Sequence, residues 1–468
     1  MLRSKKRLSF LLTLFLAAFL GMVLYLCYFE LIEAPRLRDH AYNMRNWVDE
    51  SKVARGLFLD RNGHEIISRE QAEDGTFTRY SNHPYMYSSI IGYNSSVYGK
   101  SGLEAKYNSY LLNVQSENPI AWLKGQVLDA GIGNNVRLTI DNTLQYLAYS
   151  QLEGHKGAVV AMDPKTGQIL AMVSLPSYNT NELDREWNEL IEREDSPLLN
   201  RASLGLYTPG SVMKMISGMA FLEYGTDLAF EDEGTFTVNG FTYSNINEEP
   251  HGAISLREAL IYSSNTYFAA KALETGAAAM KTEAERFYLN QVIPFDLPVS
   301  QSSISYAADM DENELASSGF GQGKTLVSPL NMCMAYAAIA NGGSLLAPTI
   351  VDAVVSPDGA EVYRPKTQTL SYQVGSPEHV SQMKSYLQDV AIETGSAAQI
   401  ENYQVAGKTG TAQNVSDKTH AWYCGFAPAQ NPQIVVCVVL EEEGESGGSA
   451  AAPVAGVLFD YWLNQRNR

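Results

Sequence analysis

From Leu8 to Phe29 the chain runs for 22 residues without a charged side chain, directly after Arg3, Lys5, Lys6 and Arg7. As a helix such a run extends roughly 33 Å, against a bilayer hydrocarbon core of ~30 Å. A cleaved signal peptide has a shorter apolar region and a small-residue cleavage site. This run instead ends in "YLCYFELIEAPRLR", with aromatic residues and no A-x-A pattern. The expectation is a retained transmembrane helix over residues 8–29. The positive-inside rule leaves residues 1–7 in the cytoplasm, and nearly everything else is then extracellular or periplasmic.

At 468 residues the chain suits two or three domains. Lys and Arg number 34 against 52 Asp and Glu, a net charge of −18. That balance argues against nucleic acid as a partner, because phosphate binding needs clustered cations. The seven histidines form no metal-ligand cluster, so neither a metal nor a cofactor is expected. Of the four cysteines, Cys27 lies in the apolar run and Cys333 in a helical apolar stretch. Cys424 and Cys437 lie on two strand-like runs that could face each other across a hairpin; two buried thiols is the favoured reading.

Residues 30–135 mix short strand-like pieces with turn signals, such as "DRNG" within "ARGLFLDRNGHEIISR", and read as a small extended domain. From 136 the pattern is more regular. "NVRLTIDNTLQYLAYSQL" passes from strand to helix with Asp141 as N-cap, and "KGAVVAMDPKTGQILAMVSLP" reads as two strands around a turn. Residues 210–345 read as mainly helical, with Gly342 and Gly343 stopping "SPLNMCMAYAAIA". "YQVAGKTGTAQ", "HAWYCGFAPAQ" and "PQIVVCVVLEEE" read as three antiparallel strands before a closing helix. Strands at both ends with helices between them predict an α+β domain, an antiparallel sheet flanked by helices, over 136–468. The acidic run at 441–449 reads as a solvated, mobile loop.

Within "YTPGSVMKM" a lysine interrupts a segment that is otherwise apolar all round and hence belongs inside a protein. Ser211 and Lys214 are i and i+3 on one helical face, and Pro209 and Gly210 place Ser211 at the helix start. Burial disfavours the charged amine, and a neutral amine can take a serine proton. S-x-x-K alone is weak: Ser381 and Lys384 match it too, on a helix with a polar face, and read as surface. Two further pieces stand in order behind Ser211, namely Ser263-x-Asn265 and Lys408-Thr409-Gly410-Thr411. Each has decoys (Ser116/Asn118, Ser177/Asn179 and Lys165-Thr166-Gly167), but only the set 211, 263, 408 has the right order and contexts. "SGFGQGKT" at 318–325 comes close to a phosphate-binding loop, yet Ser318 stands where its first Gly belongs and no apolar strand precedes it. It reads as a tight turn before the helix at 327–341.

S-x-x-K with S-D-N and K-T-G marks penicillin-binding proteins and class A β-lactamases; here the second motif is S-S-N. With "RGLFLDRNG", "GKSGLEAKYNSYL", "LTIDNTLQ", "LNRASLGLYTPGSVMK", "GFGQG" and "AWYCGFAP" also in the family's order, the chain resembles a class B penicillin-binding protein over nearly its whole length. The N-terminal region of 30–135 is too short for the glycosyltransferase domain of class A members. The resemblance implies the penicillin-binding/serine β-lactamase-like fold and peptidoglycan D,D-transpeptidase activity. Ser211 is then the acylated nucleophile, Lys214 its base, and Ser263 a proton relay to the leaving amine. Asn265 holds the substrate amide, Lys408, Thr409 and Thr411 bind the terminal carboxylate, and Gly410 leaves room for the substrate. The backbone N–H groups of Ser211 and Thr411 form the oxyanion hole. Implied partners are D-Ala-D-Ala stem peptides, β-lactams, the membrane and a polytopic glycosyltransferase of the shape, elongation, division and sporulation (SEDS) family, the last contacting the apolar helix and the 30–135 domain. A D,D-carboxypeptidase and a non-catalytic penicillin-binding scaffold or sensor stay open as alternatives. A β-lactamase is disfavoured by the anchor and the N-terminal domain.

Overall fold

The computed structural model describes residues 2–29, 33, 52–113, 132–304, 306, 310–394, 396–414 and 418–466. Helix α1 (Leu2–Tyr28) opens the chain, and its Phe10, Phe15, Phe19 and Leu24 are exposed. Among the described residues no helix is long and apolar enough to cross a membrane. The side chains described in α1 are those of 10 and 12–28, so the expected span 8–29 lies partly outside them.

The architecture rests on a five-stranded antiparallel sheet drawn from both ends of the 136–468 region. Its strands are β1 (Gly157–Met162), β2 (Ile169–Leu175), β3 (Ala406–Ala412), β4 (His420–Ala427) and β5 (Ile434–Leu440), in the order β3-β4-β5-β1-β2. β5 reads IVVCVVL and is buried at every position, as a strand covered on both faces must be. The pleat divides its side chains. Val435, Cys437 and Val439 join one core with Val160, Met172, Trp422 and the helix α5 (Pro329–Ala340). Val436 and Val438 join a second core with Val159, Val173, Tyr423 and the helices α2 (Asn142–Gln151) and α7 (Ala452–Asp460). Each such side chain contributes about 1.5–3 kcal/mol when fully buried. The same core as α5 takes in the helices α3 (Lys214–Glu223), α4 (Asn265–Thr275) and α6 (Pro377–Glu393).

Local chemistry accounts for the element ends. Asp141 caps α2 by accepting from Leu144 N–H, as the sequence predicts, and Ser328 caps α5 by accepting from Asn331 N–H. Gly342 and Gly343, both at positive φ, end α5. Cys424 and Cys437 are cross-strand partners with free, buried thiols 3.0 Å apart. Among the described residues no group of His, Cys, Asp and Glu could hold a metal ion.

In the N-terminal region, two sequence elements quoted above meet in space. Arg55 of "RGLFLDRNG" donates from Nε and Nη2 to the buried carboxylate of Glu104 in "GLEAK", whose other oxygen accepts from Arg79. Burial would raise Glu104, but the Arg79 and Arg55 guanidiniums outweigh it and hold the carboxyl below its ordinary range. Strand Asn135–Leu138, at the expected boundary between 30–135 and 136–468, pairs parallel with Phe58–Leu59 and antiparallel with Val351–Val355.

Two expectations need correction. The stretch 210–345 is not mainly helical throughout. Strands Phe230–Asp232, Thr235–Val238, Phe241–Ser244 and Gly252–Ile254 form a β excursion between α3 and α4. Its hairpin "TFTVNGFTYS" turns at Asn239-Gly240, both at positive φ, the Asn-Gly turn that matches strand twist. Nor is the acidic run 441–449 simply solvated. Glu441 pairs with Arg201 at 2.7 Å and Glu443 with His155 at 2.8 Å. Gly447 packs so tightly on the sheet that a Cβ there would lie 2.1 Å from Trp422 O and 2.4 Å from Gly410 O. Carboxylates read as solvated are tethered by an arginine and a histidine far away in sequence.

Candidate active site

The nucleophile turn is built by close backbone packing. Gly210–Met213 forms one 3-10 turn leading into α3, so Ser211 sits just before the α-helix rather than within its first turn. Gly210 has φ +57°, and a Cβ there would lie 2.9 Å from Thr411 O. Only glycine lets this turn both adopt that φ and lie against β3. From the other side Gly210 N–H donates to Gly321 O, the glycine of "GFGQG", so the near-match to a phosphate loop is a structural prop for the serine turn. Trp422 Nε1 donates to Thr208 O and Tyr336 Oη to Val212 O, which pins the turn at both ends.

Lys214 is fully buried beneath it, with Nζ 5.5 Å from the centre of the Phe268 ring. Burial, and secondarily the Lys408 charge, push its amine well below the ordinary lysine value. Nζ lies 2.7 Å from Ser263 O, 2.8 Å from Asn265 Oδ1 and 3.1 Å from Ser263 Oγ. A neutral amine has two N–H donors and one lone pair. The two carbonyl oxygens can only accept, so they take both donors, and the lone pair is left for the Ser263 hydroxyl. Ser263 Oγ in turn lies 3.0 Å from Ser211 Oγ. Read in the reactive sense this is a proton path: Ser211 to Ser263 to Lys214. The expectation is Lys214 as the base and Ser263 as a relay to the leaving amine; the geometry places Ser263 Oγ between Ser211 Oγ and Lys214 Nζ as well.

Ser263 is held at φ +54°, unusual for a residue with a side chain, at the turn before α4. Ser264 caps α4 by accepting from Tyr267 N–H, and Asn265 Nδ2 donates to Ser244 O on the β excursion. That excursion also brings in two residues the sequence reading missed, Asp232 and Asn245. Asn245 Oδ1 accepts from Asn265 N–H at 2.8 Å, and its Nδ2 reaches both Asp232 oxygens at 2.9 Å. The Asn-Gly turn with flanking β-branched and aromatic residues was the signal for this hairpin, and it was outweighed by the helical stretches on either side.

β3 is an edge strand, and its pleat alternates its motif. Lys408 and Gly410 are buried, with Gly410 facing Pro209 and Val212, whereas Thr411 is exposed. Burial lowers the Lys408 amine to about 8, and its Nζ lies 3.3 Å from Thr409 O. On the other face, Thr411 Oγ1 accepts from Gly447 N–H at 3.4 Å. The structure thus brings Ser211, Lys214, Ser263 and Asn265 into one hydrogen-bonded cluster, with β3 alongside the Gly210 turn. It leaves the decoys elsewhere. Lys384, on α6, donates to Gln430 O, and Asn179 accepts from Asn181 N–H in a surface turn. Lys165-Thr166-Gly167 forms the turn between β1 and β2, and Ser116 and Asn118 lie outside the described residues.

The chain matches two family models: the penicillin binding protein transpeptidase domain over residues 157–460, and the penicillin binding protein A dimerisation domain over residues 55–128. It is 30% identical over 450 residues to the peptidoglycan D,D-transpeptidase MrdA of Acinetobacter baumannii, spanning 84% of this chain and 67% of that protein. It is 31% identical over 457 residues to the peptidoglycan D,D-transpeptidase PbpA of Mycolicibacterium smegmatis, spanning 91% and 92%. Among solved structures, a ceftriaxone acyl-enzyme of penicillin-binding protein A from M. tuberculosis matches with a TM-score of 0.83 and 29% identity, over 89% of this chain and all of that one. A D,D-transpeptidase domain from Eggerthella lenta matches with a TM-score of 0.80 and 32% identity, over 88% and 99%.

Proposed function

Since the chain belongs to the class B penicillin-binding proteins, we propose that it is a peptidoglycan D,D-transpeptidase and penicillin target, acting through an acyl-enzyme on Ser211. The observation that carries this reading is the hydrogen-bonded path from Ser211 Oγ through Ser263 Oγ to the buried Lys214 amine.

Ser211 Oγ attacks the carbonyl carbon of the penultimate D-Ala while its proton passes to Ser263 and the Ser263 proton to Lys214. The oxyanion is taken by the N–H groups of Ser211 and Thr411, and such donors are worth about 2.7–4 kcal/mol each. The C–N bond then breaks. Protonated Lys214 returns its proton through Ser263 to the departing D-Ala amine, which leaves an ester on Ser211. An amine of a neighbouring stem peptide attacks that ester, gives up its proton by the same route, and restores the serine. Asn265 is the contact for the substrate amide; one N–H of its Nδ2 is already committed to Ser244 O, which fixes the group's orientation. Lys408, Thr409 and Thr411 are the carboxylate contacts; the room expected at Gly410 for substrate is instead room for the Pro209–Val212 turn, which a Cβ there would press at 3.1–3.2 Å.

The domain division into 1–7, 8–29, 30–135 and 136–468 belongs to the same reading. Residues 8–29 are a membrane anchor with the N-terminus in the cytoplasm and the catalytic domain outside. The exposed Phe and Leu side chains of α1 support it, because apolar surface of that kind needs a non-aqueous partner. Glycan polymerisation falls to a polytopic SEDS glycosyltransferase that meets the anchor and the 30–135 region.

The test is covalent labelling of the protein by a fluorescent penicillin, read by gel and intact mass. Label is expected on wild type and Ser381→Ala and absent from Ser211→Ala. No label on folded wild type overturns the reading. Release of D-Ala from a stem-peptide donor, with transfer to an added amine rather than to water, separates transpeptidase from carboxypeptidase.

A further inference from the structure

The second motif of this chain is S-S-N, with Ser264 where the usual pattern has aspartate. The structure supplies a carboxylate to the same turn from elsewhere. Asp232 ends the first strand of the β excursion and is 1% exposed. Its Oδ1 accepts from Thr266 Oγ1 at 2.7 Å, Asn245 Nδ2 at 2.9 Å and Gly234 N–H at 2.9 Å, and its Oδ2 accepts from Asn245 Nδ2 at 2.9 Å. Asn245, 5% exposed, is thereby fixed with Oδ1 toward α4, where it accepts from Asn265 N–H at 2.8 Å and Thr266 N–H at 3.3 Å. These are the first two N–H groups of that helix, which have no partner within it. Ser264 takes the third through Tyr267 N–H. A buried anion two hydrogen bonds from a helix N-terminus also lies at the favourable end of the helix dipole.

We propose that Asp232 and Asn245 are positioning residues of the transpeptidase site, fixing the 263–265 turn so that Ser263 Oγ and Asn265 Oδ1 meet the Lys214 amine. Neither touches the reacting atoms. Their effect runs through Asn265, whose backbone N–H is held by Asn245 and whose Oδ1 holds Lys214 at 2.8 Å. Without the Asn245 acceptor the start of α4 can shift, Oδ1 leaves the amine, and Ser263, already at positive φ, is free to relax. The network is buried and fully hydrogen-bonded, the condition under which a polar cluster rigidifies its surroundings.

The inference rests on the acylation chemistry proposed above, and the experiment separates the two. The second-order rate of acylation by fluorescent penicillin is measured at a temperature well below each variant's melting midpoint. Variants are Asn245→Ala, Asp232→Asn, the exchange Asp232→Asn with Asn245→Asp, and Val238→Ala. The last is a buried residue of the same hairpin outside the network, and it reports destabilisation alone. Asn245→Ala is expected to lose about tenfold to a hundredfold in acylation rate, the scale set by a misplacement near 1 Å. Its pH–rate profile should shift because Lys214 loses a fixed acceptor. The exchange variant keeps an acceptor at position 245 and a donor at position 232, and is expected to recover most of the rate. Val238→Ala should melt lower yet acylate like wild type. Unlabelled wild type would sink the acyl-enzyme reading itself. Labelled wild type with Asn245→Ala and Asp232→Asn folded and acylating within twofold of it would overturn the positioning role alone. Equal losses in Val238→Ala would do the same, by reducing the effect to general stability.

Discussion

Two segments of this chain spell S-x-x-K, one at a helix entry and one within a helix, and they end in opposite environments. At 211–214 the lysine is fully buried and faces two carbonyl oxygens and a hydroxyl. At 381–384 the serine is exposed, and the half-buried lysine reaches across the surface to Gln430 O. The four-residue pattern is common to both, so it does not make the site. What differs is what approaches from outside: a glycine turn against β3, and the Ser263–Asn265 turn brought in by the β excursion. Lys214 is set apart by its neighbours' carbonyls, which take its N–H donors and leave its lone pair for the hydroxyl.

The largest expected effect separates the two lysines outright. Lys214→Met should lower penicillin acylation by about 10²–10⁴-fold, the usual worth of a general base, while Lys384→Met should leave it within twofold. If both variants acylate alike, the contrast fails. Gly210→Ala comes next. Its Cβ would press on Thr411 O from a backbone at φ +57°, which costs about 1–3 kcal/mol as overpacking alone. A lower melting midpoint together with slower acylation is expected, whereas Val380, which precedes the second copy, has no such constraint.

A pH profile sharpens the comparison further. Lys214 must be neutral to accept a proton, so acylation should rise as pH climbs through its lowered value. If Lys408 must be charged to hold a carboxylate, the rate should fall again above about 8, where burial sets its proton loss. A profile flat from pH 7 to 10 would contradict that role for Lys408. The sign for stability follows from the same shift. Folded Lys408 releases its proton near 8 and the unfolded lysine near 10.5, so the unfolded state binds more protons between them and folding stability should increase with pH across that window. The smallest effect is Ser381→Ala, expected within about 0.5 kcal/mol of wild type in a denaturant melt and unchanged in labelling.

How much of this was legible in the sequence depended on whether partners were local. The strands of the sheet carry their own signal: β5 is apolar at every position because both its faces are covered, and Cys424 and Cys437 fall opposite each other as the two runs suggest. Lys214 was legible because a charge in an all-apolar helix start needs an explanation. Ser263 as an intermediate between Lys214 and Ser211 was not, since only side-chain distances reveal which oxygen is nearer. Asp232 and Asn245 were hidden in a stretch read as helical. The tethers of the acidic run could not be seen either. Glu441 and Glu443 find Arg201 and His155 at separations of 240 and 288 residues, and no local pattern encodes a pair at that range.

The order of strands in the sheet has a consequence for how the molecule comes into being. β1 and β2 leave the ribosome long before β3, β4 and β5, yet β1 must end up inside the sheet, hydrogen-bonded to β5. During synthesis the early hairpin therefore waits with one side unpaired, an invitation to wrong partners that native sheets ordinarily cover. Ser211 and Lys214 exist throughout that interval without Lys408 or the strand that carries it. A nascent chain that stops short of residue 406 holds Ser211 and Lys214 but not β3, the strand against which the Gly210 turn packs.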